Sequence, residues 1–236
     1  MAKTRGQSPG VFDKAFLTGV DDPVTEVLLI RHAQQDADFE KAPISEIMNP
    51  PLSEQGRRQA SLLGEALSTL HVDAVFASPL KRAMETAQAV ARHHRLELDI
   101  VDDLREVEIF RDLPGEKTAR EALGMDLLEA VRQRMLVERS WDVYPYSESS
   151  FDFKKRAINA VETAIARNPG ERIVIVTHGG VINAYAGYII ATAVDMFFRP
   201  AHTSVNTIVA GGGRRVLRTL NDAHHLRTGE GDFLSY

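Results

Sequence analysis

Val27-Leu28-Leu29-Ile30-Arg31-His32-Ala33 is the stretch on which the fold turns. Four apolar residues run without a break, two of them β-branched, between Pro23 and a cationic dipeptide. A half-exposed strand alternates apolar and polar residues, whereas a strand covered on both faces reads as a continuous apolar run. The pattern returns at Ile173-Val174-Ile175-Val176, followed by Thr177-His178-Gly179-Gly180. Both runs predict central strands, and each delivers a histidine just past its C-terminal end. Asp73 to Ala77 reads as another strand and Leu98 to Val101 as a weaker one.

Helical stripes lie between these runs. Apolar residues at 60, 63, 66, 67 and 70 follow Ser53, a candidate N-cap. Leu80, Ala83, Met84, Ala87, Val90 and Ala91 share the face of a helix after Ser78-Pro79, read as N-cap and first-turn proline. A helix over about 119–137 and another over about 150–167 follow, the latter stopped by Asn168-Pro169-Gly170. Segments 203–209 and 215–220, joined through Gly211-Gly212-Gly213, read as a closing hairpin. Strands alternating with helices predict an α/β fold: one three-layer domain, a mostly parallel sheet with helices on both faces, and an antiparallel edge strand. Residues 1–23 read as an N-terminal arm and 24–236 as the domain, in which 107–150 has the texture of a lid-like helical insertion. That insertion holds the only tryptophan, Trp141, with Tyr144 and Tyr146 close by, as packing or as the wall of a substrate pocket.

Composition narrows the chemistry. The chain has 236 residues and no cysteine, which removes disulfides, thiolate metal sites and a cysteine nucleophile. The net charge of −5 gives no electrostatic footprint for nucleic acid or an anionic membrane. No apolar run approaches the ~20 residues of a membrane span, and the N-terminus lacks a signal-peptide core, so a cytoplasmic location is expected. His93-His94 and His224-His225 are weak metal signals, and no metal site is expected. The hairpin and the arm each offer a face on which a homodimer could form.

Ligands of open parallel sheets bind outside the C-terminal ends of the strands. His32 and His178 meet there, with Arg31 beside one of them and Arg82 in the first turn of the helix after the Asp73–Ala77 strand. Guanidinium groups and helix N-termini are suited to phosphate oxygens. Gly179 is expected to let backbone approach closely. Ser204 and Asn206, at the start of the late strand, read as bordering the site or, more simply, as a strand edge.

Five segments, in order, resemble the histidine phosphatase (phosphoglycerate mutase-like) superfamily: Arg31-His32-Ala33; Pro51-Leu52-Ser53-Glu54-Gln55-Gly56; Ser78-Pro79-Leu80-Lys81-Arg82-Ala83; Leu104-Arg105-Glu106; and Thr177-His178-Gly179-Gly180. The resemblance implies a histidine acid-type phosphatase, a phosphoric monoester hydrolase that needs no metal or other cofactor. Catalysis would fall to His32 as the phosphoryl acceptor, Glu106 as acid and base, and His178. Arg31, Arg82, His178 and Gly179 would hold phosphate. The substrate would be a small phosphorylated molecule or a phosphoprotein.

The sequence departs from the family pattern at Ala33, where glycine is usual, at Gln34, and at Asp38, whose carboxylate is expected to repel phosphate. Glu108 competes with Glu106 for the acid role. A cofactor-dependent phosphoglycerate mutase and a catalytically weak phosphate-binding or regulatory protein are the alternatives. Val107 to Asp112 lacks the mutase's extended motif.

Overall fold

A computed structural model describes residues 14–17, 23–229 and 231–236. Most of the expected N-terminal arm lies outside the described residues. The expected α/β class holds: a six-stranded, mostly parallel sheet is covered by helices on both faces.

Strand β1 (Thr25–Arg31) lies between β4 (Arg172–Thr177) and β5 (Val205–Gly211), which explains why its apolar run is buried on both faces. The sheet order is β3 (Leu98–Ile100), β2 (Ala74–Ala77), β4, β1, β5 and β6 (Arg214–Asp222). The first four are mutually parallel, and β5 and β6 add antiparallel pairings at one end. Gly212 and Gly213 turn the final hairpin at φ of +53° and +74°, backbone that suits glycine.

Side chains alternate between the two layers. Leu28, Ile30, Val174 and Val176 face α2 (Glu54–Leu67) and α3 (Lys81–His94). Val27, Leu29, Ile173 and Ile175 face α6 (Ser150–Arg167) and α7 (Gly179–Ile190). The short α1 (Ile44–Met48) lies in the loop between β1 and α2. The helix expected over 119–137 is two helices, α4 (Ala119–Leu123) and α5 (Met125–Glu138), separated by Gly124 at φ +77°.

Two local expectations fail. On α2, Ala66 and Leu70 are exposed while Leu62 is buried, because α3 covers a face turned from the expected stripe. Ser78-Pro79 does not start α3: the N-cap is Leu80, which has no side-chain cap bond, and the serine hydroxyl is engaged elsewhere. Ser53 does cap α2, accepting the Gly56 N–H. Gly56 has a second constraint, since a Cβ there would lie 2.0 Å from the Gln34 carbonyl oxygen. Among the described residues, no helix is long and apolar enough to cross a membrane.

Candidate active site

Strand register brings the two histidines together. Arg31 pairs with Thr177 across β1 and β4, so His32 and His178 emerge side by side, with ring centroids 5.0 Å apart. Ala77 pairs with Val176, which places Ser78 level with Thr177, one row before the histidines, and Ser78 Oγ lies 2.8 Å from His178 Nε2. The sequence reading missed this role for Ser78. The available signal was its position one residue past a central strand, equivalent to those of both histidines.

His32 is 4% exposed. Its Nδ1 lies 2.7 Å from the Ala33 carbonyl, an oxygen that can only accept, so Nδ1 carries the proton and Nε2 the lone pair. Arg82 Nε donates to that Nε2 at 3.2 Å. Burial, then Arg82, His178, Arg31 and His202, hold His32 well below the usual imidazole range, so the ring is neutral at pH 7. Burial, Arg82 and Arg31 do the same to His178, whose Nδ1 has no partner among the described residues.

The two arginines are buried and anchored. Arg31 donates to the Pro200 carbonyl at 2.5 Å, and Arg82 to the Met48 carbonyl at 3.3 Å. Burial lowers both to about 10, partly offset by the charge of Glu106, so both remain cations at neutral pH. Glu106 accepts from the Gly180 N–H at 3.1 Å and from the Val107 N–H at 3.0 Å. Close approach is required at Gly180, where a Cβ would lie 2.1 Å from Glu106 Oε1. Gly179, the expected position, has ordinary room, its nearest atom being Arg31 Nε at 3.8 Å.

The departures find places. Ala33 is fully buried against Leu52 and Ala60, and its N–H donates to Thr86 Oγ1 at 3.0 Å. Gln34 accepts from the Ser53 hydroxyl through Oε1 at 2.8 Å. Asp38 is exposed and accepts the N–H groups of Glu40 and Lys41, so its carboxylate closes its own turn instead of facing the anion site. Glu108 pairs with Arg111 and with Arg105 at 3.3 Å; burial works against its ionised form, but the two arginines hold it below the usual carboxylate range.

The loop before β5 clasps the Arg31-His32 dipeptide. Thr203, at φ +57°, donates its N–H to the Arg31 carbonyl at 3.1 Å, and Ser204 accepts the Arg31 N–H at 3.3 Å. A β-branched residue in left-handed backbone is costly, and such strain gathers where the surroundings over-determine it. Asn206 donates to the Leu29 carbonyl at 2.9 Å, so the Asn206 side chain and the Ser204 carbonyl brace β1, while Ser204 Oγ is buried with no partner among the described residues. A third imidazole, His202, lies 5.7 Å from His32, centroid to centroid. No local pattern announced it.

The cavity over these groups holds about 290 Å³ and is lined by Arg31, His32, Arg82 and Glu106. Arg31 and Glu106 also line a second lobe of about 650 Å³. Trp141 and Tyr144 face that lobe, whereas Tyr146 is exposed and does not line it. Lys81, Lys117, Arg111 and Arg120, charged positions near the site in sequence, line neither lobe. Among the described residues, no group of three or more histidines and carboxylates is placed to hold a metal ion.

Fold and site together define the class of α/β proteins that present paired histidines and arginines to a phosphate group at the ends of parallel strands. A sequence model of the histidine phosphatase superfamily (branch 1) matches residues 27–223, and the chain belongs to that family. Phosphoserine phosphatase 1 of Hydrogenobacter thermophilus is 27% identical over 86% of this chain and 95% of its own. A metal-independent phosphoserine phosphatase of Arabidopsis thaliana is 27% identical over 88% of this chain and 85% of its own. Among solved structures, YhfR of Bacillus stearothermophilus superposes with a TM-score of 0.72 at 26% identity, covering 85% of this chain and 98% of its own.

Proposed function

We propose that this protein is a metal-independent phosphomonoester hydrolase that works through a phosphohistidine on His32. The observation that carries the reading is the fixed tautomer: Nδ1–H is held by the Ala33 carbonyl, and the Nε2 lone pair of a neutral ring faces the Arg82 guanidinium. Nε2 attacks phosphorus and the ester P–O bond breaks. Glu106, lining both lobes, gives its proton to the departing oxygen. Water then attacks phosphorus, the P–N bond breaks, and Glu106 takes the proton from the water. Arg31, Arg82, His178 and the Gly179 N–H at the start of α7 hold the phosphoryl oxygens. Phosphoryl transfer asks for this positioning and charge stabilisation above all. Glu106 suits the acid role better than Glu108, whose carboxylate is tied to Arg105 and Arg111. The substrate class is a small phosphomonoester, and the two similar phosphoserine phosphatases make O-phosphoserine a first compound to try.

The test is hydrolysis of p-nitrophenyl phosphate in the presence of EDTA, with His32→Ala alongside the wild type. Wild-type turnover that drops to background in the variant, with unchanged circular dichroism, is expected. Substantial turnover by His32→Ala, or none by the wild type, overturns the reading.

A further inference from the structure

The lobe of about 650 Å³ next to the phosphoryl pocket shares Arg31, Glu106 and Gly179 with the chemistry just described, and the rest of its walls have no part in it, yet it is built like a binding site. Its walls include five aromatic side chains, Phe39, Trp141, Tyr144, Phe197 and Phe198, and three cations, Arg31, Arg139 and Arg199; among the described residues that line it, Glu106 is the one carboxylate. The lobe meets the phosphoryl pocket at Arg31, Phe39 and Glu106. An ester oxygen leaving beside Glu106 thus has open access to these walls.

The walls are fixed in place before any ligand arrives. Asp195 accepts the Trp141 N–H at 3.1 Å, the Ser140 hydroxyl at 2.8 Å and the Ser150 hydroxyl at 2.6 Å, and pairs with Lys154 at 2.7 Å. The Arg139 carbonyl accepts the N–H groups of Asp195 and Met196. Opposite, Asn183 Oδ1 accepts the Phe197 N–H at 3.0 Å and the Phe198 N–H at 3.3 Å, while its amide donates to the Gly179 carbonyl at 2.9 Å. Two donors are left without use. Trp141 Nε1 is buried with no partner among the described residues. The Arg139 guanidinium has no ion-pair partner among them, its neighbour Glu138 being taken by Arg134. The exposed Arg139 cation beside these aromatic walls suits a ligand with a flat face and a negative charge.

Resting on the hydrolase reading, we infer that the preferred substrate is a phosphomonoester of a planar, ring-bearing alcohol that carries a second anionic group. The ring lies against Trp141 and its aromatic neighbours, and the second anion meets Arg139, with Arg199 adding positive charge. A three-carbon phosphate such as O-phosphoserine leaves most of these walls uncovered. Trp141 and Arg139 are then specificity-determining residues.

The experiment compares kcat/KM for 6-carboxy-2-naphthyl phosphate, 2-naphthyl phosphate and O-phosphoserine. Wild type, Trp141→Ala, Arg139→Gln and Arg139→Lys are each measured, with kcat on p-nitrophenyl phosphate as the check on the phosphoryl site. The wild type is expected to favour the carboxynaphthyl ester. Arg139→Gln lowers its preference over the plain naphthyl ester by about tenfold, roughly what one charge-assisted hydrogen bond supplies, and Arg139→Lys restores part of it. Trp141→Ala lowers the ratio of naphthyl ester to O-phosphoserine, mainly through KM. A wild-type preference for O-phosphoserine, or equal losses on all three esters with p-nitrophenyl phosphate turnover intact, overturns the inference and leaves the hydrolase reading standing. If p-nitrophenyl phosphate is not turned over, the hydrolase reading falls. Calorimetric titration of the same three esters into His32→Ala then decides the lobe: tightest binding of the carboxynaphthyl ester supports it, and equal or absent binding overturns it.

Discussion

A single methyl group separates the two glycines after His178. At Gly180 a Cβ would lie 2.1 Å from Glu106 Oε1 and 3.0 Å from Phe153 Cζ, and Phe153 is fully buried. The carboxylate is the part that can yield. Gly180→Ala is therefore expected to displace Glu106 and lower kcat on the order of 100-fold, the scale of a ~1 Å misplacement of a catalytic group. At Gly179 the nearest atoms lie at 3.8 and 3.9 Å, so Gly179→Ala should cost far less. Steady-state kinetics on the two variants, with thermal melting as a check on folding, tests the contrast. Similar losses in both would mean that Glu106 is not held by the Gly180 backbone. Nothing in the sequence signalled the constraint at Gly180, because the atom that crowds it comes from a segment far away in the chain.

At the scale of elements, the residues around Phe233 and Ser235 act as a strap on the loop after His32. Gln59 of α2 is fully buried, and its Oε1 accepts the Gln34 N–H at 2.9 Å, two residues after His32. Its Nε2 donates to the Phe233 carbonyl at 2.7 Å and to Ser235 Oγ at 2.9 Å. Ser235 Oγ also meets His202 Nδ1 at 2.8 Å, and its carbonyl accepts the His202 N–H at 2.9 Å. Gln59→Leu leaves several buried groups unpaired at once, and a destabilisation of about 3 kcal/mol is expected, against about 1 kcal/mol for Ser235→Ala. Urea unfolding checks both; a change in Gln59→Leu too small to measure would mean that the strap is not coupled to the loop. None of this was legible in the sequence, where Gln59 sits on the first turns of an ordinary amphipathic helix. The helices themselves were legible, since α2, α3 and α6 show their apolar periodicity locally.

The whole molecule buries four imidazoles in or beside one site, and this sets its response to acid. His32 and His178 are held well below their usual range, His202 is lowered to about 3 and His225 to about 4, each first of all by burial. The unfolded chain binds protons at these histidines near pH 6.5, and the folded chain does not. Stability is therefore fully present above that pH and is lost as pH falls from about 6.5 toward the folded values, by up to about 1.4 kcal/mol per pH unit for each histidine. His225 bonds to Thr203 Oγ1 at 2.9 Å, outside the phosphoryl pocket, so it can be replaced without touching the nucleophile. Urea midpoints measured from pH 7 to 4 should fall steeply in the wild type and less steeply in His225→Gln. Parallel profiles would show that His225 titrates alike in both states.

Local sequence alone determined the strands, the sheet class and the convergence of Arg31, His32, Arg82 and His178 on one edge, while Glu106 entered only through the resemblance to a family motif. Burial on both faces leaves an unbroken apolar run, and each of these site residues lies at or near the end of a strand. The tertiary structure decided which hydroxyl meets His178, which glycine admits Glu106, where Asp38 points and what the second lobe offers. Those answers depend on atoms contributed by segments distant in sequence, whose distances are set only when the layers pack.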